Sequence, residues 1–227
     1  MTAPRPRRSG RLILAVLLAL PLLLLGLWLL RRDDAPAARF DAALDRALQP
    51  VLAQHQAALA VGASTPKQLR LLSREAAASS LQYLAPADLE LWAATRLRVA
   101  QSSSDACARL WQGGDAAFVG RAVAELGDDA LEAYTSMLAR GLSLRLERKP
   151  PIEPAPGAIA RATRAIADAL PSEQRAAFLA DVGRADLSPA RACELFLTLS
   201  TGAQRLPPPT RIEFLRALAK ELPVANH

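Results

Sequence analysis

Aromatic residues are scarce in this 227-residue chain, at 4%. A folded core must therefore be assembled mainly from Leu, Ala and Val. Short alanine side chains let helices approach closely, and alanine is the strongest helix former. No stretch shows the sustained polar/apolar alternation of a strand. The residue types that carry catalysis are scarce too: two histidines, His55 and His227, and two cysteines, Cys107 and Cys193. The absence of a C-x-x-C pair removes dithiol redox chemistry. The absence of G-x-x-x-x-G-K-[ST] and of a dinucleotide loop removes the common phosphate cradles. No G-x-S-x-G supports a serine hydrolase, and one usable histidine with two distant cysteines does not make a zinc site. No cofactor is expected.

What is present begins with charge. The chain carries a formal net charge of +6 from 28 basic and 22 acidic residues. Six of the arginines (Arg5, Arg7, Arg8, Arg11, Arg31 and Arg32) fall within residues 1–32, which hold no acid, so the remaining 22 basic residues balance all 22 acids. A basic footprint is the mark of phosphate-backbone binding. The balanced remainder lacks it, and no nucleic-acid partner is expected.

Leu12 to Leu30 is an unbroken apolar run. At ~1.5 Å per residue it spans roughly 28 Å, close to the ~30 Å hydrocarbon core of a bilayer. Pro21 is tolerated there as a local kink, and Trp28 suits the interface. A cleaved signal peptide would want a run of about 7–15 residues and a small-residue site soon after it. Here Arg31-Arg32-Asp33-Asp34 follows at once, which favours an uncleaved anchor. Four arginines precede the run and two follow it, so the positive-inside rule places the N-terminus in the cytoplasm. The reading is a cytoplasmic tail (1–11), a transmembrane helix (12–30) and a periplasmic domain, in the inner membrane of a bacterial envelope.

Beyond the anchor the pattern is all-α, about nine helices. A juxtamembrane region, 31–64, carries a helix from Phe40 to Ala60 with Phe40, Leu44, Leu48, Val51, Leu52 and Leu59 on one stripe, following a break at Pro36. Thr65-Pro66 is a strong helix start, opening a helix to about Leu84 with Leu69, Leu72, Ala76, Ser80 and Tyr83 near one face. Pro86 opens another to Ser102, bearing Leu89, Trp92, Ala93 and Leu97. Ser104 or Asp105 caps a short helix through Trp111, Asp115 starts one to Leu126, and Asp128 starts a long one to Leu146. These make a first half, 65–148. The run 149–156 (KPPIEPAP) cannot be helical, with four prolines in eight residues. A second half, 157–227, reads as helices near 158–169, 172–183, 189–203 and 209–222. Residues 84–111 and 170–197 echo each other at a constant offset that aligns Cys107 with Cys193 and Arg98 with Arg184. If that echo reflects duplication, it favours stacked helical hairpins over an irregular bundle.

The candidate site residues are few. Cys107 and Cys193 lie on helices either side of the linker, in a domain expected where disulfides persist. A bridge would close a loop of about 87 residues, worth roughly 4–5 kcal/mol in loop-closure entropy. His55 sits on the apolar stripe of its helix and reads as a packing residue. Ser102-Ser103-Ser104 reads as a helix cap. Glu90, Glu132, Asp168 and Glu173 show no pairing by spacing that suggests a glycosidase. Pro207 to Pro209 reads as helix punctuation. No catalytic residue is assigned, and the chain leans away from enzymes. Three roles follow: a non-enzymatic interaction or scaffold domain with a protein partner in the envelope, an envelope enzyme such as a cell-wall hydrolase with a carboxylate site, or a helical domain binding a ligand or peptide in a groove between its halves.

Overall fold

The computed structural model describes residues 35–55, 65–184 and 186–221. Among these residues the chain forms ten α-helices, one 3-10 turn and no strand. The expected all-α class is what the structure shows. The predicted membrane segment, 12–30, lies outside the described residues, as do Leu59 and His227. No described helix is long and apolar enough to cross a membrane.

The helices are α1 (35–55), α2 (Pro66–Ala78), α3 (Pro86–Ser102), α4 (Ser104–Trp111), α5 (Ala116–Glu125), α6 (Asp128–Leu146), α7 (Ala158–Asp168), α8 (Ser172–Asp181), α9 (Pro189–Arg205) and α10 (Pro208–Glu221). Their starts follow local chemistry. Thr65 accepts the Gln68 amide at 3.2 Å, Asp115 the Phe118 amide at 2.6 Å and Ser188 the Arg191 amide at 3.3 Å. Each satisfies one donor that the first turn leaves unpaired. Prolines open α2, α3 and α9, where the missing N–H costs nothing. Residues 149–155 carry no helix.

Several expectations need correction. The short α4 is capped by Ser103, which accepts the Ala106 amide at 3.0 Å, and not by Ser104 or Asp105. α2 ends at Ala78 rather than near Leu84. Ser79 and Ser80 both turn their hydroxyls onto the Ala76 carbonyl, and the chain tightens into the 3-10 turn Leu81–Tyr83; such back-bonding competes with the helical ladder. The buried face of α2 is Ser73 and Ala77, while Leu71 and Leu72 are exposed. Small residues win that face because α2 and the turn after it pack closely on α6. A Cβ on Gly141 would stand 3.1 Å from the Ser80 carbonyl oxygen. α1 is already helical at residue 35, so Pro36 lies inside it rather than ahead of it.

α3 occupies the centre. It packs against α4, α5, α6, α9 and α10, and Leu89 and Val99 on it are fully buried. One continuous buried cluster joins α1 (Leu44, Leu48), α3, α6 (Met137, Leu142), α7 (Ile166), α9 (Leu195) and α10 (Phe214). The packing is an irregular bundle around α3, with residues from both sides of the proline-rich segment in a single core. The echoed hairpins differ in build: α3 has 17 residues and α8 only 10. α1 is held from two directions. Arg74 on α2 grips Asp41 at 2.8 Å and Asp45 at 2.7 Å, which raises the Arg74 guanidinium above its ordinary value, chiefly through the Asp45 hydrogen bond. On the other side Phe40 lies against α5 so closely that a Cβ on Gly120 would come within 2.7 Å of its ring.

Candidate ligand-binding cavity

Helical spacing turns five sets of side chains toward one void. On α9, Phe196, Leu199, Ser200 and Ala203 recur at three and four residues and share a face. On α10, Arg211, Phe214, Leu215 and Leu218 do the same. α3 contributes Trp92 and Arg96, α4 contributes Leu110 and Trp111, and α7 contributes Ile159 and Thr163. Together they line a cavity of about 540 Å³. That volume falls within the ~300–1,000 Å³ typical of small-molecule sites, which are likewise mostly apolar with a few placed polar groups.

Two covalent or ionic ties set its walls. Cys107 on α4 and Cys193 on α9 stand at disulfide distance, Sγ–Sγ 2.09 Å and Cα–Cα 4.9 Å. Cys107 lies one turn before Leu110 and Trp111, and Cys193 lies one turn before Phe196, so the bridge holds those two walls together. On the α10 side, Arg211 donates from Nη2 and Nε to Glu90 Oε1 on α3, at 2.6 and 3.0 Å. It also donates to the Gln204 carbonyl at 3.1 Å. Exposed pairs of this kind contribute ~0–1 kcal/mol; the value of this one is positional.

The unusual member is Arg96. Its residue is only 8% exposed. The guanidinium lies 5.3 Å from the Trp92 ring centroid and donates from Nη2 to the Leu110 carbonyl at 3.2 Å. Among the described residues it meets no carboxylate. Burial pushes its pKa below the ordinary arginine value, and the neighbouring Tyr134 pulls weakly the other way. An arginine stays protonated regardless, so a cation stands at an apolar wall. The effective desolvation penalty for such an ion is several kcal/mol when no counter-charge repays it. Tyr134, also buried, has its hydroxyl pKa raised by the same loss of water, with the Arg96 charge opposing it.

The other sequence-picked residues do not converge on this void. His55 sits at the described end of α1, with Nε2 buried and without a hydrogen-bond partner among the described residues. Asp168 faces Arg175 at 3.6 Å, Glu173 meets the Ser172 hydroxyl at 3.3 Å, and Glu132 lines no part of the cavity. Only Glu90 of the four carboxylates reaches it, already paired with Arg211. Among the described residues no group of three or more His, Cys, Asp or Glu is placed to hold a metal. Sequence reading missed Arg96. The signal was present: Leu89, Trp92, Arg96 and Val99 follow each other at three, four and three residues, so a charge interrupts an otherwise apolar stripe. Arg216 was missed as well; it is 3% exposed, with Nε and Nη1 unpartnered among the described residues.

Comparison with family models, with curated proteins and with solved structures finds no match to this chain.

Proposed function

We propose that the chain is a membrane-anchored envelope protein whose helical domain is a non-enzymatic binding module, holding a ligand in the cavity between α3, α4, α7, α9 and α10. Residues 12–30 supply the anchor, with the N-terminus in the cytoplasm and the domain in the periplasm. The observation that carries the binding role is the cavity, whose walls come from helices on both sides of the proline-rich segment. Of the three roles open from the sequence, it favours the ligand-binding one. The Cys107–Cys193 pair supports the periplasmic location, because disulfides persist in oxidising compartments.

The test uses full-length protein in nanodiscs of zwitterionic lipid. Replacing Trp28 with Phe leaves Trp92 and Trp111, both in the cavity wall, as the remaining indoles of three. A terminally brominated twelve-carbon alcohol, amide or acid bound in the cavity quenches their fluorescence saturably. Ser200→Phe fills the void and removes the effect. If no member of that panel quenches, or if Ser200→Phe quenches as well as its parent, the binding role is lost.

A further inference from the structure

We infer that the cavity takes an acyl carboxylate, an apolar chain ending in a single carboxylate, and that Arg96 receives the head group. This rests on the binding reading above and specifies its ligand class.

Four observations converge. The first is the unpaired cation. Arg96 is more than nine-tenths buried, lines the void and has no acidic partner among the described residues. A guanidinium carries five N–H donors in a planar fork. One hydrogen bond to Leu110 O leaves an edge free for the two oxygens of a carboxylate, the arrangement in which arginine binds best. The second is its seating. The Trp92 ring lies against the guanidinium at 5.3 Å, and the residue is buried, away from bulk water, where an added anion gains most.

The third is charge count at the wall. Among the described residues the only other arginine lining the void, Arg211, is committed to Glu90. Glu221 lies at the exposed end of α10. One uncompensated buried cation matches a singly charged head and not a dianion. The fourth is the remainder of the lining, where the uncharged polar side chains are Thr163, Ser200 and Gln204. A peptide laid in this space would bury several backbone amides with few partners, and each unpaired amide opposes binding. A hydrocarbon chain needs no partners. The occupant that leaves nothing unsatisfied is a carboxylate on an alkyl tail.

The experiment compares brominated dodecanoate with the brominated amide of the same length at neutral pH, using the Trp28→Phe protein in nanodiscs. Affinities are corrected for bilayer partition with empty discs. The expected result is an acid preference of about tenfold or more, the fold-change of a hydrogen bond to a charged group. Arg96→Met should bring the two ligands together within about threefold, and Arg96→Lys should keep part of the preference because it keeps the charge but not the fork. The comparison on the parent protein stands even if a variant fails to fold. Equal binding of acid and amide to the parent protein overturns the carboxylate assignment and leaves the binding module standing. Quenching by neither ligand overturns both. An apolar peptide with a free carboxyl terminus is the competing arm: if it displaces the brominated acid more effectively than unlabelled dodecanoate does, the acyl-chain assignment fails.

Discussion

Arg148 adopts φ 57, the left-handed region, and is the one non-glycine described residue to do so. It closes α6. Its amide donates to the Arg145 carbonyl at 3.1 Å and the Lys149 amide to the Leu144 carbonyl at 3.3 Å, the paired bonds of a Schellman ending. That position favours glycine, since a Cβ in left-handed backbone costs roughly 1–2 kcal/mol. Arg148→Gly should therefore raise the urea midpoint of unfolding by the equivalent of about 1 kcal/mol, part of the gain being lost to the greater freedom of glycine in the unfolded chain. A midpoint that falls would mean the arginine side chain contributes something beyond its backbone. Arg96 is the converse case, a residue whose backbone is ordinary and whose side chain is out of place. Its position on the apolar stripe of α3 was legible in the sequence. Its lack of an acidic partner was not, because ion pairing between distant helices depends on packing that spacing does not encode.

Between elements, α9 comes close against α7 at Gly202. A Cβ on Gly202 would stand 2.5 Å from Ile166 Cγ2 and 3.1 Å from Cγ1. Ile166 is 3% exposed and β-branched, so its χ1 cannot easily give way. Gly202→Ala gains helix propensity of about 1 kcal/mol but forces an overpacked contact that costs ~1–3 kcal/mol. The expected net effect is a loss of up to about 2 kcal/mol in chemical denaturation. Pairing it with Ile166→Ala should show a favourable coupling, because the two changes remove each other's clash and void. Additive single effects would place the strain elsewhere. Helix boundaries were largely readable because caps and prolines are local devices: Thr65, Asp115, Ser188 and Pro86 act through atoms within a few residues. The face that each helix buries was less so. Leu69 and Leu72 look like the apolar side of α2, yet Ser73 and Ala77 are buried, since close contact with α6 selects for small volume over hydrophobicity. The cavity was not readable at all. Its lining comes from five helices, and the side chains that make it a void rather than a core are apolar residues like any others.

Across the molecule, the Cys107–Cys193 bridge ties α4 to α9, joining positions 86 apart in sequence. Constraining so long a loop in the unfolded chain is worth about 4 kcal/mol by the entropic account. For a domain of this size, Cys107→Ala with Cys193→Ala should lower Tm by about 10 °C. Because α4 and α9 carry facing walls of the cavity, the same variant should weaken ligand binding. A thiol-labelling assay on the unfolded parent protein checks the premise: labelling without reductant would remove it. The pairing itself was anticipated from cysteine count and expected compartment, and the structure adds the reason the two meet, since α4 and α9 pack along each other. That bridge also changes what the connection between the two parts of the chain means. Residues 149–155 lie wholly inside the span it closes, and Ile152 and Glu153 are exposed. A backbone cut between them would yield two polypeptides still joined through sulfur, with Glu153 on the second fragment reaching Lys220 and the Ala155 amide bonded to Glu213. Such a nicked molecule would run as one band until reductant is added and as two afterwards. With the sulfur stitch made, a scission at this exposed joint would leave the two parts tied together.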